Sequence, residues 1–208
     1  MNLNLKLKID EIFVCENEIL LDEGSLGKNV GAVILSLLPT LMTATANDMS
    51  ERIKKNEGYK NISYMDTLKK KTIGIGFNID ANVEYFKEFC KKNRLDYDKI
   101  YKGEQSLNDT HIMELFKYSI GQAKKDAKKF IPNLEEHPDE VQSVVVEMAF
   151  QLGLTKLLKF EDTQKFLIAK DYVNAAKEML DSKWAKSDTP ARAKRLAEIV
   201  RTATDKTT

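Results

Sequence analysis

Two carboxylates and one hydroxyl lie close together in the sequence and could perform acid–base chemistry: Glu57, Asp66 and Thr72. Glu57 precedes Gly58 where a short helix is predicted to end, and the helix dipole disfavours negative charge there, which suits a proton donor. Asp66 and Thr72 fall on the first and second strands of a hairpin predicted over residues 62–77. Cleavage of a glycosidic bond requires one protonated carboxyl and one ionised carboxylate. We therefore predict that Glu57 donates a proton, that Asp66 is its ionised counterpart, and that Thr72 holds the water.

The second strand of this hairpin carries glycines on one face. Side chains alternate between faces from Thr72 to Phe77, so Gly74 and Gly76 share the face of Thr72 while the isoleucines face the core. Glycine weakens a strand unless something must approach its backbone closely. A flat ligand such as a sugar ring would explain the glycines. The alternative is a bulge or the packing of a helix.

A pair of arginines near the C-terminus points to an anionic partner. Thr189 and Pro190 predict the start of a last helix, which places Arg192 in its first turn and Arg195 on the same side. A cation is electrostatically unfavourable at a helix N-terminus. We predict that Glu57 is the partner of Arg192; the alternative is a solvated arginine.

Composition excludes several other classes of function. The chain has 208 residues and a formal net charge of +1, so we predict binding neither to nucleic acid nor, through charge, to membranes. Lysine runs such as residues 69–71 are interpreted as a solvated face. The two cysteines form no Cys-x-x-Cys pair, and the two histidines, His111 and His137, are predicted to lie at the surface. We therefore predict no metal site and no cofactor.

The sequence predicts a mostly helical chain with one small β region. Apolar residues are typical of a buried helix over residues 139–152. The other predicted helices are one over 81–93, a long one from Asn108 toward Phe130, one capped by Asp171 that ends near Ser182, and the last from Pro190. The predicted fold class is α+β, with a small lobe over 47–107 and a long helix leading into a helical lobe over 108–208.

Residues 1–46 are predicted to be an N-terminal extension. Its apolar run, Val30 to Met42, is shorter than the roughly 20 residues of a spanning helix and ends in small residues, as a signal-peptide core does. The acidic leader before it fits an amphipathic extension packed on the domain instead. Leu21 to Gly24 is similar to sites cut by phage head-maturation proteases. Membrane contact is expected only through the apolar run.

The chain resembles the phage T4-type lysozymes over roughly residues 49–202. The resemblance rests on Glu57-Gly58, Asp66, Thr72–Gly76, Met148–Gly153, Ser182–Trp184 and Thr189–Arg195, in that order. It implies the lysozyme fold and hydrolysis of the β-1,4 bond between N-acetylmuramic acid and N-acetylglucosamine, with inversion. It also implies that Glu57 is the general acid, Asp66 the second carboxylate and Thr72 the water-positioning residue, and that Arg192 pairs with the acid.

The resemblance further implies a set of substrate-binding residues: Gly76, Asn78, Phe150, Gln151 and Thr163. Asn78 and Glu178 differ in side chain from the family, Glu147 replaces a polar amide, and Phe77 replaces a frequent histidine. The alternatives are a lytic transglycosylase and a non-catalytic wall-binding or virion structural protein. The expected partner is peptidoglycan and the expected state a monomer. The protein is expected to reach the cell wall by export, by release through a holin or inside the virion.

Overall fold

The computed structural model describes residues 49–66 and 69–204. The predicted N-terminal extension, with its apolar run from Val30 to Met42, lies outside these residues. The described chain forms two compact units, one built from residues 50–66 and 69–119 and the other from Met49 with residues 120–204. Within the described part, no helix has the length and apolarity needed to cross a bilayer.

The first unit combines a small sheet with helices. Its elements are α1 over residues 49–57, β1 Lys60–Met65, β2 Lys71–Gly74, β3 Phe77–Asn78, α2 Val83–Lys92, α3 Tyr97–Lys102 and the first part of α4 Asp109–Phe130. The predicted helices over 81–93 and from Asn108 are confirmed. The Oδ1 atom of Asn108 accepts a hydrogen bond from the N–H of His111 at 2.9 Å, which is an N-cap. The six-residue helix α3, capped by Asp96, was not predicted.

The sheet is antiparallel with strand order β1-β2-β3. The predicted hairpin over residues 62–77 is therefore only part of it, because the chain turns again after β2. Gly74 and Gly76 have φ angles of +68° and +70°, which end the extended strand and place Ile75 in a turn. Ile73, Ile75 and Phe77 are at most 1% exposed, so the predicted core face is confirmed although one of its members lies outside a strand.

The second unit is helical. Its elements are the end of α4, a 3-10 turn Leu134–Glu136, α5 Asp139–Leu152, α6 Leu154–Leu157, α7 Glu161–Ile168, α8 Tyr172–Asp181, a π-helical turn Trp184–Asp188 and α9 Pro190–Thr202. Helix α9 packs on α5 and α8. Val145 and Met148 of α5 are fully buried, as predicted for a central helix. The sequence-based prediction of a mostly helical α+β fold is confirmed.

The prediction that both histidines lie at the surface is wrong. His137 is 1% exposed, and its Nδ1 atom lies 3.1 Å from the hydroxyl of Tyr172. His111 is partly buried, with its ring edge-on to Phe89. Each imidazole packs against one aromatic ring from another element, Phe89 or Tyr172, and such neighbours cannot be read from the local sequence.

Candidate active site

Glu57 is the last residue of α1, as predicted. Gly58 follows with a φ angle of +74°, and its N–H donates to the carbonyl of Lys54 at 2.9 Å, which ends the helix. The Glu57 side chain then lies against the turn between β2 and β3. A Cβ atom added at Gly76 would stand 3.3 Å from both Cγ and Oε2 of Glu57. The glycine at position 76 therefore makes room for the carboxyl group of Glu57.

A substitution at Gly76 should test this contact. Gly76→Ala places a side chain at positive φ, which costs about 1–2 kcal/mol of unfolding free energy, and also pushes against Glu57. Gly58→Ala is the matched control, because its φ is similar but no atom lies within 4 Å of the added Cβ. Urea unfolding should show similar losses for both variants. Wall-lysis activity should fall several-fold further for Gly76→Ala; equal activities would show that the contact does not matter.

A tyrosine anchors the chain just beyond Glu57. The hydroxyl of Tyr59 donates a hydrogen bond to the carboxylate of Asp109 in the first turn of α4. Partial burial, together with this hydrogen bond and the charge of Asp109, raises the pKa of Tyr59 to about 12. The phenol is therefore neutral at physiological pH and remains a donor, so it ties the segment after the helix to α4.

Asp66 lies in the turn and not on the first strand, since β1 ends at Met65. Its N–H donates to the carbonyl of Lys70 at 2.9 Å, and its Oδ1 atom accepts from the N–H of Lys70 at 2.7 Å. Backbone hydrogen bonds therefore hold both the main chain and the carboxylate of Asp66. The carboxylate of Asp66, which directly follows β1, is therefore held next to Lys70, the residue that precedes β2.

Three residues form a row across the sheet beside these carboxylates. Tyr64 of β1 pairs directly with Thr72 of β2, and Thr72 pairs with Asn78 of β3. Directly opposed residues in antiparallel strands place their side chains on the same face. Thr72 is 4% exposed, and its hydroxyl donates to the carbonyl of Lys70 at 3.2 Å. The backbone of Lys70 thus contacts both the hydroxyl of Thr72 and the carboxylate of Asp66.

Tyr64 feels the charge of both carboxylates, and our sequence reasoning missed it. Its pKa is raised, first by burial and then by the negative charges of Glu57 and Asp66. Both carboxylates therefore lie within electrostatic reach of one phenol. The only sequence signal was its position two residues before Asp66, and that pattern also fits an ordinary strand aromatic.

The prediction that Gly74 belongs to an open floor for a sugar ring is wrong. A Cβ atom added there would stand 3.1 Å from Cγ2 of Ile112, a fully buried residue of α4. Helix packing, the alternative reading, explains this glycine. Only Gly76 contacts a predicted site residue.

The other predicted residues lie in the second unit. Thr163 is 2% exposed and lines a pocket of about 720 Å³ together with Glu178 and Trp184. Gln151 does not line this pocket but is joined to it through Trp184. Phe150 is partly buried and is also not among the lining residues. The structure thus brings Thr163 to one pocket with Glu178, whereas Phe150 and Gln151 stand outside its lining.

Gln151 is held at both ends of its amide. Its Oε1 atom accepts from the indole Nε1 of the buried Trp184 at 3.1 Å, and its Nε2 atom donates to the hydroxyl of Thr189 at 3.1 Å. Thr189 precedes α9 but makes no side-chain capping bond. The amide therefore joins α5 to the start of α9.

Loss of this amide should destabilise the protein measurably. Gln151→Ala leaves the indole N–H of Trp184 buried without its acceptor, which should cost about 1–3 kcal/mol of unfolding free energy. Thr189→Ala is the milder comparison, because it keeps the bond to Trp184. Trp184 is the single tryptophan of the chain, so its fluorescence during urea unfolding reports on this site. Equal midpoints for wild type and Gln151→Ala would contradict the structural role of the amide.

The two arginines of α9 are placed as predicted near its start, but one has an unexpected partner. The NH2 atom of Arg195 lies 3.2 Å from Oε1 of Glu147, whose side chain is 1% exposed. Arg195 stabilises the folded protein through this pair, because a buried carboxylate without a cation would lower the free energy of unfolding. Arg192 belongs to the second unit and Glu57 to the first, and their ion pair stays a prediction.

No protein-family model matches the chain. Two curated proteins of Dictyostelium discoideum, probable T4-type lysozymes 1 and 2, are 27% and 26% identical to it over 173 residues. The alignments cover 78% and 76% of this chain and 97% and 96% of the relatives. The chain is thus similar, over most of its length, to two proteins named as probable T4-type lysozymes. This similarity confirms the resemblance predicted from the motifs, and it spans nearly the whole length of both relatives.

Proposed function

We propose that the protein hydrolyses the β-1,4 bond between N-acetylmuramic acid and N-acetylglucosamine in bacterial peptidoglycan. The observation that carries the proposal is the placement of both carboxylates next to β2: Glu57 lies against Gly76, and Asp66 and the Thr72 hydroxyl both hydrogen-bond to the backbone of Lys70. Two carboxylates from different elements then act around one site. The similarity to proteins named as lysozymes supports this choice of substrate.

The proposed reaction is a single displacement with inversion. Glu57 donates its proton to the glycosidic oxygen, and the bond between that oxygen and the anomeric carbon breaks. A water molecule, held by Asp66 and Thr72, attacks the anomeric carbon from the opposite face, and Asp66 takes up the proton of the water. The products are a new reducing end and a free hydroxyl. Asp66 is suited to this role because a hydrogen bond from the backbone N–H of Lys70 orients its carboxylate.

The reaction can be tested on purified peptidoglycan. We expect a fall in turbidity and, by mass spectrometry, muropeptides that end in reducing N-acetylmuramic acid. NMR of the first product should show the anomer inverted relative to the bond that was cut. Fragments lighter by one water, with anhydro ends, would identify a lytic transglycosylase. Unchanged turbidity and intact glycan chains would indicate a non-catalytic wall-binding or virion structural protein.

The division of the chain belongs to the same proposal. Residues 1–46 would be an extension and residues 47–208 the catalytic domain, acting on the bacterial cell wall. N-terminal sequencing of the mature protein separates the routes to the wall. A start at Asn47 would indicate export and cleavage after the apolar run, and a start at Gly24 would indicate processing in the virion. A start at Met1 would indicate release through a holin.

A further inference from the structure

The first turn of α4 contacts the two segments that meet at the Glu57 side chain. Asp109, the first residue of α4, accepts the hydrogen bond from the hydroxyl of Tyr59, two residues after Glu57. Ile112 packs against Gly74, two residues before the glycine that Glu57 contacts, and its Cγ2 atom would stand 3.1 Å from an added Cβ. Residues three apart in a helix are neighbours on one side of it. One side of α4 therefore holds the segment after Glu57 and the strand that leads to its contact.

The segment after Glu57 depends on contacts with other elements for its position. It begins with Gly58, which has no side chain to restrict the backbone. The segment is held at Tyr59 through the hydroxyl, and at Asn61, whose carbonyl accepts from the N–H of Leu107 at 2.8 Å. Tyr59 directly follows the glycine, so its hydrogen bond joins α4 to the chain immediately beyond the end of α1.

We propose that Tyr59 and Asp109 are positioning residues, whose hydrogen bond holds the end of α1 so that the Glu57 carboxyl stays against Gly76. The inference rests on the proposed function, which makes Glu57 the proton donor. Proton transfer requires the donor to lie within hydrogen-bond reach of the leaving oxygen. A misplacement of about 1 Å can lower a rate by up to about 100-fold. The hydrogen bond therefore acts on the reaction through the placement of Glu57.

Substitutions at the two ends of the hydrogen bond should have the same effect. Tyr59→Phe removes the hydroxyl and keeps the ring, and we expect kcat to fall about fivefold with less than about a twofold change in KM. Asp109→Ala should cause a similar fall, and the double variant no larger one, because each change breaks the same bond. Asp109→Asn should keep most of the activity, because the amide oxygen still accepts. Steady-state kinetics on soluble glycan fragments measure these values.

Two comparisons separate positioning from a general loss of structure. Tyr101→Phe is the matched control, because the Tyr101 hydroxyl also donates to an aspartate of the first unit, Asp80 at 2.9 Å, and it should keep the wild-type kcat. The residual rate of Glu57→Gln does not depend on where a Glu57 proton is held, so adding Tyr59→Phe should lower it no further. An equal fall in both backgrounds, or a wild-type kcat for Tyr59→Phe, would overturn the inference.

The backbone N–H signal of Gly76 in an NMR spectrum gives a readout that does not need turnover. Since Glu57 lies against Gly76, a displaced side chain should shift this signal in Tyr59→Phe and leave it in place in Tyr101→Phe. Such a shift in a protein that does not cut peptidoglycan would support the positioning and reject the proposed function. An unmoved signal in Tyr59→Phe, in a protein that is active, would reject the inference alone.

Discussion

Glu57→Gln should lower the rate of peptidoglycan hydrolysis by on the order of 10³-fold, because an amide cannot donate the proton that the leaving oxygen requires. The substitution keeps the size of the side chain, so the contact with Gly76 can persist. We expect the circular dichroism spectrum and the urea midpoint to stay close to wild type. Turbidity assays on wall suspensions and release of reducing ends measure the loss.

A second glutamate on the same helix gives the matched control. Glu51 of α1 forms a partly buried ion pair with Lys54 at 3.4 Å and is not part of the proposed site. Glu51→Gln should retain at least about half of the activity, because the Glu51 end of the pair is open to solvent, where such pairs contribute roughly 0–1 kcal/mol to stability. Lysis by Glu57→Gln at the level of Glu51→Gln would remove Glu57 from the mechanism.

Asp66→Asn should be the other severe change, with a loss of about 10²–10³-fold in kcat. The amide cannot take up a proton from the attacking water. Its oxygen can still accept the hydrogen bond from the N–H of Lys70, so the turn between β1 and β2 should survive. Steady-state kinetics on soluble glycan fragments should show the loss in kcat, with a smaller change in KM.

The hairpin region supplies a control of the same chemistry. Asp80 also accepts from a backbone N–H, that of Lys71 at 2.8 Å, and additionally from the hydroxyl of Tyr101. Asp80→Asn removes a charge from a similar setting without touching the proposed carboxylate pair. It should keep near wild-type kcat. If both asparagine variants lose activity equally, the loss at Asp66 reflects the fold of the hairpin and not the chemistry.

The proposed catalytic residues Glu57, Asp66 and Thr72 lie in the first unit. The second unit contains a pocket and a hydrogen-bonded glutamine beside it. Gln151 fixes Trp184 and the start of α9, while Thr163 and Glu178 line the pocket beside that tryptophan. The residues that the resemblance groups as substrate-binding therefore have different contacts in the structure. Thr163 lines the pocket, whereas Gln151 holds Trp184 and the start of α9 in place.

Local signals in the sequence determined where the key elements end. Glycine after Glu57 predicts a helix end because it adopts positive φ without a steric cost, and the structure has that geometry at Gly58. Asn108, Asp171 and Pro190 marked helix starts for equally local reasons, since capping and a fixed φ involve only neighbouring residues. The continuous apolar stretch over residues 139–152 likewise predicted a buried helix.

Only the tertiary structure decided which side chains meet. The methyl group of Ile112, from a different helix, fills the space at Gly74, and Glu147 rather than a solvent ion faces Arg195. The approach of Glu57 to Gly76 depends on the placement of α1, and the row formed by Tyr64, Thr72 and Asn78 depends on the register of three strands. Such contacts join residues distant in sequence, and their energies depend on distances that no local pattern encodes.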